Sequence, residues 1–155
     1  MSLAQTQDVR EVLAGYADRG VFRGVNDAAL AGETAEFKFT WFGIRPMRCL
    51  LAPPSITLRD FLHAMPTRSD MHRDIKAFVA AFNEPGLLEH RGLDSNRASV
   101  KTANRNQRVS LSVTSLDGDY AYATRKLIFV AHETWQHIHC NWVHYAWDEC
   151  GASME

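Results

Sequence analysis

The chain has 155 residues, of which 46% are hydrophobic and 23% are charged, and its 17 basic side chains nearly balance its 18 acidic ones. A chain of this length can bury about 70% of the surface that it exposes when unfolded, so the composition predicts a single globular domain over residues 1–155 and excludes intrinsic disorder. The formal charge of -1 disfavours a nucleic-acid-binding protein, because such proteins are as a rule strongly basic.

The amino-terminal half predicts one helix and three strands. Apolar residues recur at helical spacing over Thr6–Ala17, which predicts a helix capped by Thr6 and ending before Gly20. Residues 26–32 are predicted as a loop because glycine, asparagine and alanine dominate them. Alternating polar and aromatic residues predict the first strand, and two more apolar segments follow, separated by a proline pair that cannot donate ladder hydrogen bonds. The three strands are Glu36–Trp41, Met47–Ala52 and Ile56–Phe61, with a turn at Gly43–Pro46.

The carboxyl-terminal half predicts a second helix, two strands and a long last helix. The second helix begins after Ser69, whose hydroxyl is expected to cap it, and ends near Asn83. The two strands are Ala98–Thr102 and Arg108–Ser115. Asp119 suits the N-cap of the last helix, but Tyr120–Ala123 also alternates, so a hairpin that closes before the helix begins is the alternative.

The last helix carries one apolar stripe. At about 100° per residue, its members fall within a sector narrower than about 90°; they are Leu127, Ala131, Trp135, Ile138, Trp142 and Tyr145. The order is thus helix, three strands, helix, two strands and long helix. It predicts an α+β fold in which an antiparallel sheet of about five strands packs against helices on one face.

This element order is similar to that of the type III secretion chaperone-like fold, over nearly the whole chain. The resemblance implies a small, often dimeric protein that binds other polypeptides. Two segments, residues 16–24 (YADRGVFRG) and 117–127 (DGDYAYATRKL), also resemble segments of a family of small bacterial proteins of unassigned function. That second resemblance implies no activity for the chain.

A group of metal-binding residue types lies late in the chain. His137, Cys140 and His144 stand at i, i+3 and i+7, within about 60° of one another around a helix. A metal would need a further ligand from elsewhere. His132 and His139 form a second i, i+7 pair, which needs a nucleophile or carboxylate nearby to act in acid–base catalysis. The alternative is that all of these are surface or edge residues of an amphipathic helix.

No sequence motif predicts a cofactor. The chain has no nucleophile elbow, phosphate loop, dinucleotide fingerprint or calcium loop. Its three cysteines, Cys49, Cys140 and Cys150, are sparse and odd in number, which is typical of reduced thiols. No apolar run approaches the ~20 residues of a spanning helix, and the first residues lack the pattern of a signal peptide. We therefore expect a cytoplasmic protein that does not contact a membrane.

A basic segment runs through the predicted last hairpin. Five cations and one acid, Asp94, lie between positions 91 and 108; the cations are Arg91, Arg97, Lys101, Arg105 and Arg108. A nucleic acid would find no aromatic side chain to stack on between Phe82 and Tyr120. We therefore interpret the segment as a solvated sheet edge whose charges oppose edge-to-edge pairing, although a phosphate-facing hairpin is the alternative.

The last helix also predicts an interface. Phe129 and Trp147 fall about 100° outside its apolar stripe, with Val143 near them. A second apolar strip on a helix that is already buried on one side is typical of a contact with another chain, most simply a second copy, while fraying around Trp147 is the alternative. The sequence therefore predicts a non-catalytic protein-binding or chaperone-like module that acts as a homodimer. The alternative is a metal-binding protein or hydrolase centred on the late histidines.

Overall fold

A six-stranded antiparallel sheet forms the framework of the computed structural model, which describes residues 3–26, 29–41 and 45–150. The elements in chain order are α1 (Leu3–Asp18), β1 (Ala29–Ala31), β2 (Thr34–Trp41), β3 (Arg45–Ala52), β4 (Ser55–Leu62), α2 (Asp70–Ala80), β5 (Ala98–Arg105), β6 (Arg108–Ser115), α3 (Tyr120–Asn141) and α4 (Val143–Cys150). A short 3-10 turn, Ala81–Asn83, follows α2. The predicted α+β class and element order are confirmed, with one strand more than expected.

The strands lie in the order β1-β2-β3-β4-β6-β5, and each pair is antiparallel. Their alternation separates an apolar face from a polar one. The apolar positions of β2 and β6 are Ala35, Phe37, Phe39, Trp41, Val109, Leu111 and Val113, all of them buried. The intervening polar residues, such as Lys38 and Ser112, lie on the opposite face of the sheet.

Helices cover the apolar face of this sheet. The central helix is α3, which contacts β4 and β6 below it and packs against α1 on one side and α2 on the other. Because α3 has neighbours on three sides, its buried residues extend well beyond the predicted apolar stripe and include Tyr122, Lys126 and Thr134. No helix within the described residues is long and apolar enough to cross a membrane.

Two predicted helix caps are confirmed. The Ser69 side chain accepts a hydrogen bond from the backbone N–H of His72, and the Asp119 carboxylate accepts one from Tyr122. Because α3 begins immediately after Asp119, residues 120–123 are helical and the hairpin alternative is wrong.

Two local predictions are wrong, and a third lies partly outside the described residues. Thr6 does not cap α1, because that helix already includes Leu3, and the Thr6 side chain is buried within it. The predicted loop at 26–32 contains β1, a three-residue strand paired with β2. Residues 43 and 44 of the predicted turn lie outside the described residues, and its last two residues, Arg45 and Pro46, belong to β3.

The long last helix is interrupted near its end. Trp142 has φ -132° and ψ 53°, which are not helical values, so the chain forms α3 and then the separate α4. The indole Nε1 of Trp142 donates to Asp74 of α2. Positions on either side of Trp142 therefore do not share one helical surface.

Candidate functional site

An open aromatic cleft of about 590 Å³ lies on the helical side of the molecule, where α1, β2 and α3 meet. Its lining is aromatic and aliphatic except for one histidine; the residues are Tyr16, Val21, Trp41, Ile128, Phe129, His132 and Trp135. A concave, mainly apolar surface of this size is typical of a ligand-binding or anchor-binding site.

Packed rings hold one wall of the aromatic cleft in place. Phe22 stacks on Phe39 with ring centroids 4.2 Å apart and meets Trp41 edge-on at 5.4 Å. Tyr16, from the last turn of α1, lies 6.0 Å from the same Phe22 ring. Since offset and edge-to-face pairs are the favoured aromatic geometries, these contacts fix the orientation of the rings before any ligand arrives.

Burial distinguishes the fixed walls from the accessible rim. Trp41 and Trp135 are only 5% and 8% exposed, so both are part of the folded core. Phe129 is partly exposed, whereas Val21 and His132 are exposed. The aromatic cleft thus combines a rigid floor with apolar surface that a partner can cover.

A second depression of about 410 Å³ adjoins the aromatic cleft, and Tyr16 and Phe129 line both. We call it the cationic recess because three of its side chains are Arg97, Arg125 and Lys126, against a single carboxylate, Glu89. His90 and Tyr122 complete its lining.

Lys126 is the most buried cation of this recess, at 9% exposure. Its Nζ donates to the Glu89 carbonyl oxygen at 2.6 Å and lies 3.2 Å from the Glu89 carboxylate. The same Nζ lies 5.6 Å and 5.4 Å from the ring centroids of Tyr122 and Phe129, within the range of cation–π attraction. The buried ammonium is thus held by one peptide carbonyl, one carboxylate and two rings.

The other two cations, Arg97 and Arg125, differ in whether a carboxylate of the protein already pairs with them. Arg97 lies 3.8 Å above the Tyr122 ring and donates to Asp117 and Asp119 at 2.8 Å and 2.7 Å. Arg125 is exposed and has no carboxylate partner among the described residues. Arg125 is therefore the cation that remains available to an incoming anion.

The two tyrosines of the recess are neutral phenols at neutral pH. Burial raises the pKa of Tyr16 above its ordinary value, against the opposing effect of the nearby Arg19 and Arg125 charges. Burial also raises the pKa of Tyr122, whose oxygen accepts a hydrogen bond from the Asp94 backbone N–H. The aromatic cleft and the cationic recess together offer apolar surface beside positive charge.

The predicted interface residues lie on two helices. Phe129 lies between the aromatic cleft and the cationic recess, where its ring also meets Phe82 edge-on at 5.6 Å. Val143 and Trp147 lie on α4, beyond the interruption at Trp142, and line neither depression. Trp147 is 52% exposed, and Val143 is partly buried.

The predicted metal ligands are engaged elsewhere or exposed. His137 Nε2 lies 2.7 Å from the Asp74 carboxylate, and its ring stacks on Phe78 with centroids 4.1 Å apart. Cys140 and His144 are exposed. Within the described part of the chain, no three histidine, cysteine, aspartate or glutamate side chains are grouped so that they could hold a metal ion.

The remaining pair of histidines is divided between two environments. His132 is exposed at the rim of the aromatic cleft, whereas the His139 ring lies 4.8 Å from that of Trp135. The His139 Nε2 atom is buried and has no hydrogen-bond partner within the described residues. The structure therefore does not place these two side chains in a common groove.

The sequence singles out two residues of these depressions, Phe129 as an interface residue and His132 as one of a histidine pair, but it does not indicate that they lie together. Tyr16 and Trp41 belong to the apolar faces of the first predicted helix and the first predicted strand, and nothing in their spacing indicates that they meet α3. Arg125 and Lys126 form an adjacent basic pair in the first half of α3, which has no other charged residue, and this pair is the available signal. No family model, curated protein or solved structure matches this chain.

Proposed function

We propose that this protein is a non-catalytic polypeptide-binding module. The aromatic cleft receives an apolar side chain of the partner, and the cationic recess receives an acidic residue beside it. The observation that carries the proposal is the common wall, since Tyr16 and Phe129 line both depressions. One short ligand segment can therefore reach apolar surface and positive charge together.

The expected energetics favour a polypeptide anchor. Full burial of one large apolar side chain contributes about 1.5–3 kcal/mol, and aromatic pockets with fixed rings are where binding energy concentrates in protein interfaces. Arg125 adds charge complementarity to a carboxylate, which affects specificity and association rate more than affinity. A peptide in extended form advances about 3.3 Å per residue, so neighbouring side chains can enter adjacent depressions.

We further propose that the module is chaperone-like and acts as a cytoplasmic homodimer. The chaperone-like character rests on the resemblance in element order. Self-association is supported by α4, where Val143 and Trp147 are four residues apart and therefore share one helical face. Trp147 presents a large apolar ring to solvent, which a second copy would cover. A reducing compartment fits the free thiols of Cys49 and Cys140.

Selection from displayed random dodecapeptides tests the binding function. We expect enriched sequences to carry an aromatic or large aliphatic residue next to one or more acidic residues. Enrichment should disappear with Phe129→Asp and lose its acidic preference with Arg125→Glu. Leu116→Ala is the matched control, because it removes an exposed apolar side chain outside both depressions. If Phe129→Asp melts cooperatively and still selects the same sequences as wild type, the proposal is contradicted.

The alternative of a metal-dependent activity gains no support from the geometry. His137 is bonded to Asp74, and Cys140 and His144 are not grouped with further ligands in the described residues. We therefore propose one function, binding through the aromatic cleft and the cationic recess.

A further inference from the structure

The uncovered face of the sheet carries a separate basic pocket. This sheet-face pocket has a volume of about 740 Å³ and lies on the opposite side of the sheet from α3. Four of its lining residues are arginines, contributed by four different strands: Arg48, Arg59, Arg105 and Arg108. Asp60 is its one carboxylate, and Thr57 and Ser110 add hydroxyl groups.

The strand register places like charges directly opposite one another in this pocket. Arg48 of β3 faces Arg59 of β4, and Arg105 of β5 faces Arg108 of β6. On the other side of Arg48, its partner in β2 is Lys38. Directly opposed like charges destabilise a sheet, so the fold retains three unfavourable pairs on one face. Arrangements that oppose folding are expected mainly at functional or strained sites.

The carboxylate of Asp60 only partly offsets this repulsion. Asp60 Oδ2 accepts from Arg48 at 2.9 Å and lies 3.5 Å from Arg108. Its backbone, at φ 54°, is in the left-handed region, where β4 shifts its register against β6, and its N–H donates to the Ser110 hydroxyl oxygen at 3.3 Å. One acid thus orients two of the four arginines.

The other two arginines are less engaged. Arg59 lies 3.7 Å from Glu36, which is outside the pocket lining, and both Arg59 and Arg105 are exposed. Arg105 has no carboxylate partner among the described residues. Even when Glu36 is counted, the described residues place four guanidinium groups against two carboxylates, which leaves a surplus of positive charge at the pocket in a chain whose formal charge is -1.

We propose that the sheet-face pocket binds a small ligand that carries several phosphate groups. Guanidinium forks match phosphate oxygens in bidentate geometry, and each phosphate monoester brings about -1.5 to -2 charges in a compact volume. An acidic peptide would spread its carboxylates along an extended chain, whereas the four arginines converge on one pocket. The described lining residues include no aromatic side chain, so they offer no base-stacking surface to a single-stranded nucleic acid.

Calorimetric titration with inorganic tripolyphosphate at constant ionic strength tests this proposal. We expect saturable binding with one site per chain, weakened about tenfold by Arg105→Gln or Arg59→Gln, as for loss of one charge-assisted hydrogen bond. Lys76→Gln is the charge-matched control, because Lys76 is exposed on α2 and does not line this pocket. This variant should bind tripolyphosphate as tightly as wild type does. An equal loss of tripolyphosphate affinity in all three variants, or the absence of saturable binding to wild type, would overturn the proposal.

A thermal measurement separates a built site from diffuse charge attraction. Without ligand, Arg105→Gln should unfold at the same or a higher temperature than wild type, because it removes the like-charge pair of Arg105 and Arg108. Tripolyphosphate should raise the melting temperature of wild type more than that of Arg105→Gln. Tighter binding of an oligo-glutamate peptide or a single-stranded oligonucleotide than of tripolyphosphate would assign the pocket to a different ligand and overturn the proposal. Peptide binding at the aromatic cleft should be unaffected by Arg105→Gln.

Discussion

The Nε2 atom of His137 lies 2.7 Å from the Oδ2 atom of Asp74, and this contact joins α3 to α2. The indole of Trp142, the residue at which α3 ends, donates to the same oxygen, also at 2.7 Å. Phe78 stacks on the His137 ring. The side of α3 that the helical wheel assigns to solvent and metal ligands is therefore partly a packing surface for α2.

Asp74 should contribute stability that is lost in acid. Burial raises the pKa of Asp74. The hydrogen bonds from His137 and Trp142, together with the His137 charge, lower it by more than burial raises it, so the pKa lies below the ordinary 3.8. A depressed pKa stabilises the fold above the unfolded-state value, and this contribution disappears as the pH falls through the lower folded-state value. In urea titrations, Asp74→Asn should be less stable than wild type at pH 7.

The difference between wild type and Asp74→Asn should shrink toward strongly acidic pH, where both side chains are neutral. Glu84→Gln is a suitable control, because Glu84 is exposed just beyond the 3-10 turn and should show little difference at either pH. A constant difference between wild type and Asp74→Asn across this range would show that the ionised carboxylate does not provide the stability.

Asn83 should stabilise the exposed edge of β5. Its side-chain amide donates to the Val100 carbonyl at 2.7 Å and accepts from the Val100 N–H at 2.8 Å, as a neighbouring strand would. Asn83→Ala leaves both backbone groups unpaired and should cost about 2 kcal/mol of unfolding free energy. Asn83→Asp keeps the acceptor but sets a carboxylate oxygen against the Val100 carbonyl oxygen, so it should also be less stable than wild type. Equal stability of wild type and Asn83→Ala in urea titrations would contradict this role.

Cys49 and Cys140 should differ sharply in reactivity. Cys49 is fully buried, and burial, together with the Glu36 charge, raises its pKa to about 12. Because the thiolate is the reactive form, Cys49 should resist an aromatic disulfide reagent at pH 8, whereas the exposed Cys140 should react. In a Cys150→Ser background, we expect one fast thiol in the native protein and two in urea. Two fast thiols in the native protein would be inconsistent with a buried Cys49.

Trp147→Ala should weaken self-association if α4 forms the contact between two copies. Light scattering should give a dimer mass for wild type and a lower average mass for Trp147→Ala at the same concentration. Leu116→Ala removes an equally exposed apolar side chain elsewhere and should leave the mass unchanged. A monomeric wild type at high concentration would rule out the homodimer.

The elements of the fold were largely predictable because their signals are local. Alternation identified β2 and β6, and single side chains, Ser69 and Asp119, identified where α2 and α3 begin. The interruption at Trp142 was not predictable, because the apolar stripe continues through that residue and its contact with Asp74 joins positions far apart in sequence. The three-residue β1 has too few residues for any periodicity to show.

The sites were less predictable because they are assembled by tertiary contacts. The helical wheel identified Phe129 correctly as lying off the apolar stripe, but its partners Tyr16 and Trp41 come from α1 and β2. The basic segment near the last hairpin contained Arg105 and Arg108, whereas Arg48 and Arg59 join them only through the register of β3, β4 and β6. The spacing of residues along the chain does not predict how the strands pair.

Calorimetric titration of one selected peptide tests the proposal that the aromatic cleft and the cationic recess bind a polypeptide as one site. We expect one peptide per chain, a loss of about 2 kcal/mol or more of binding free energy for Phe129→Ala, and weaker binding when the acidic residues of the peptide are replaced by their amides. Unchanged affinity of the cooperatively folded Phe129→Ala variant for the unmodified peptide would contradict it.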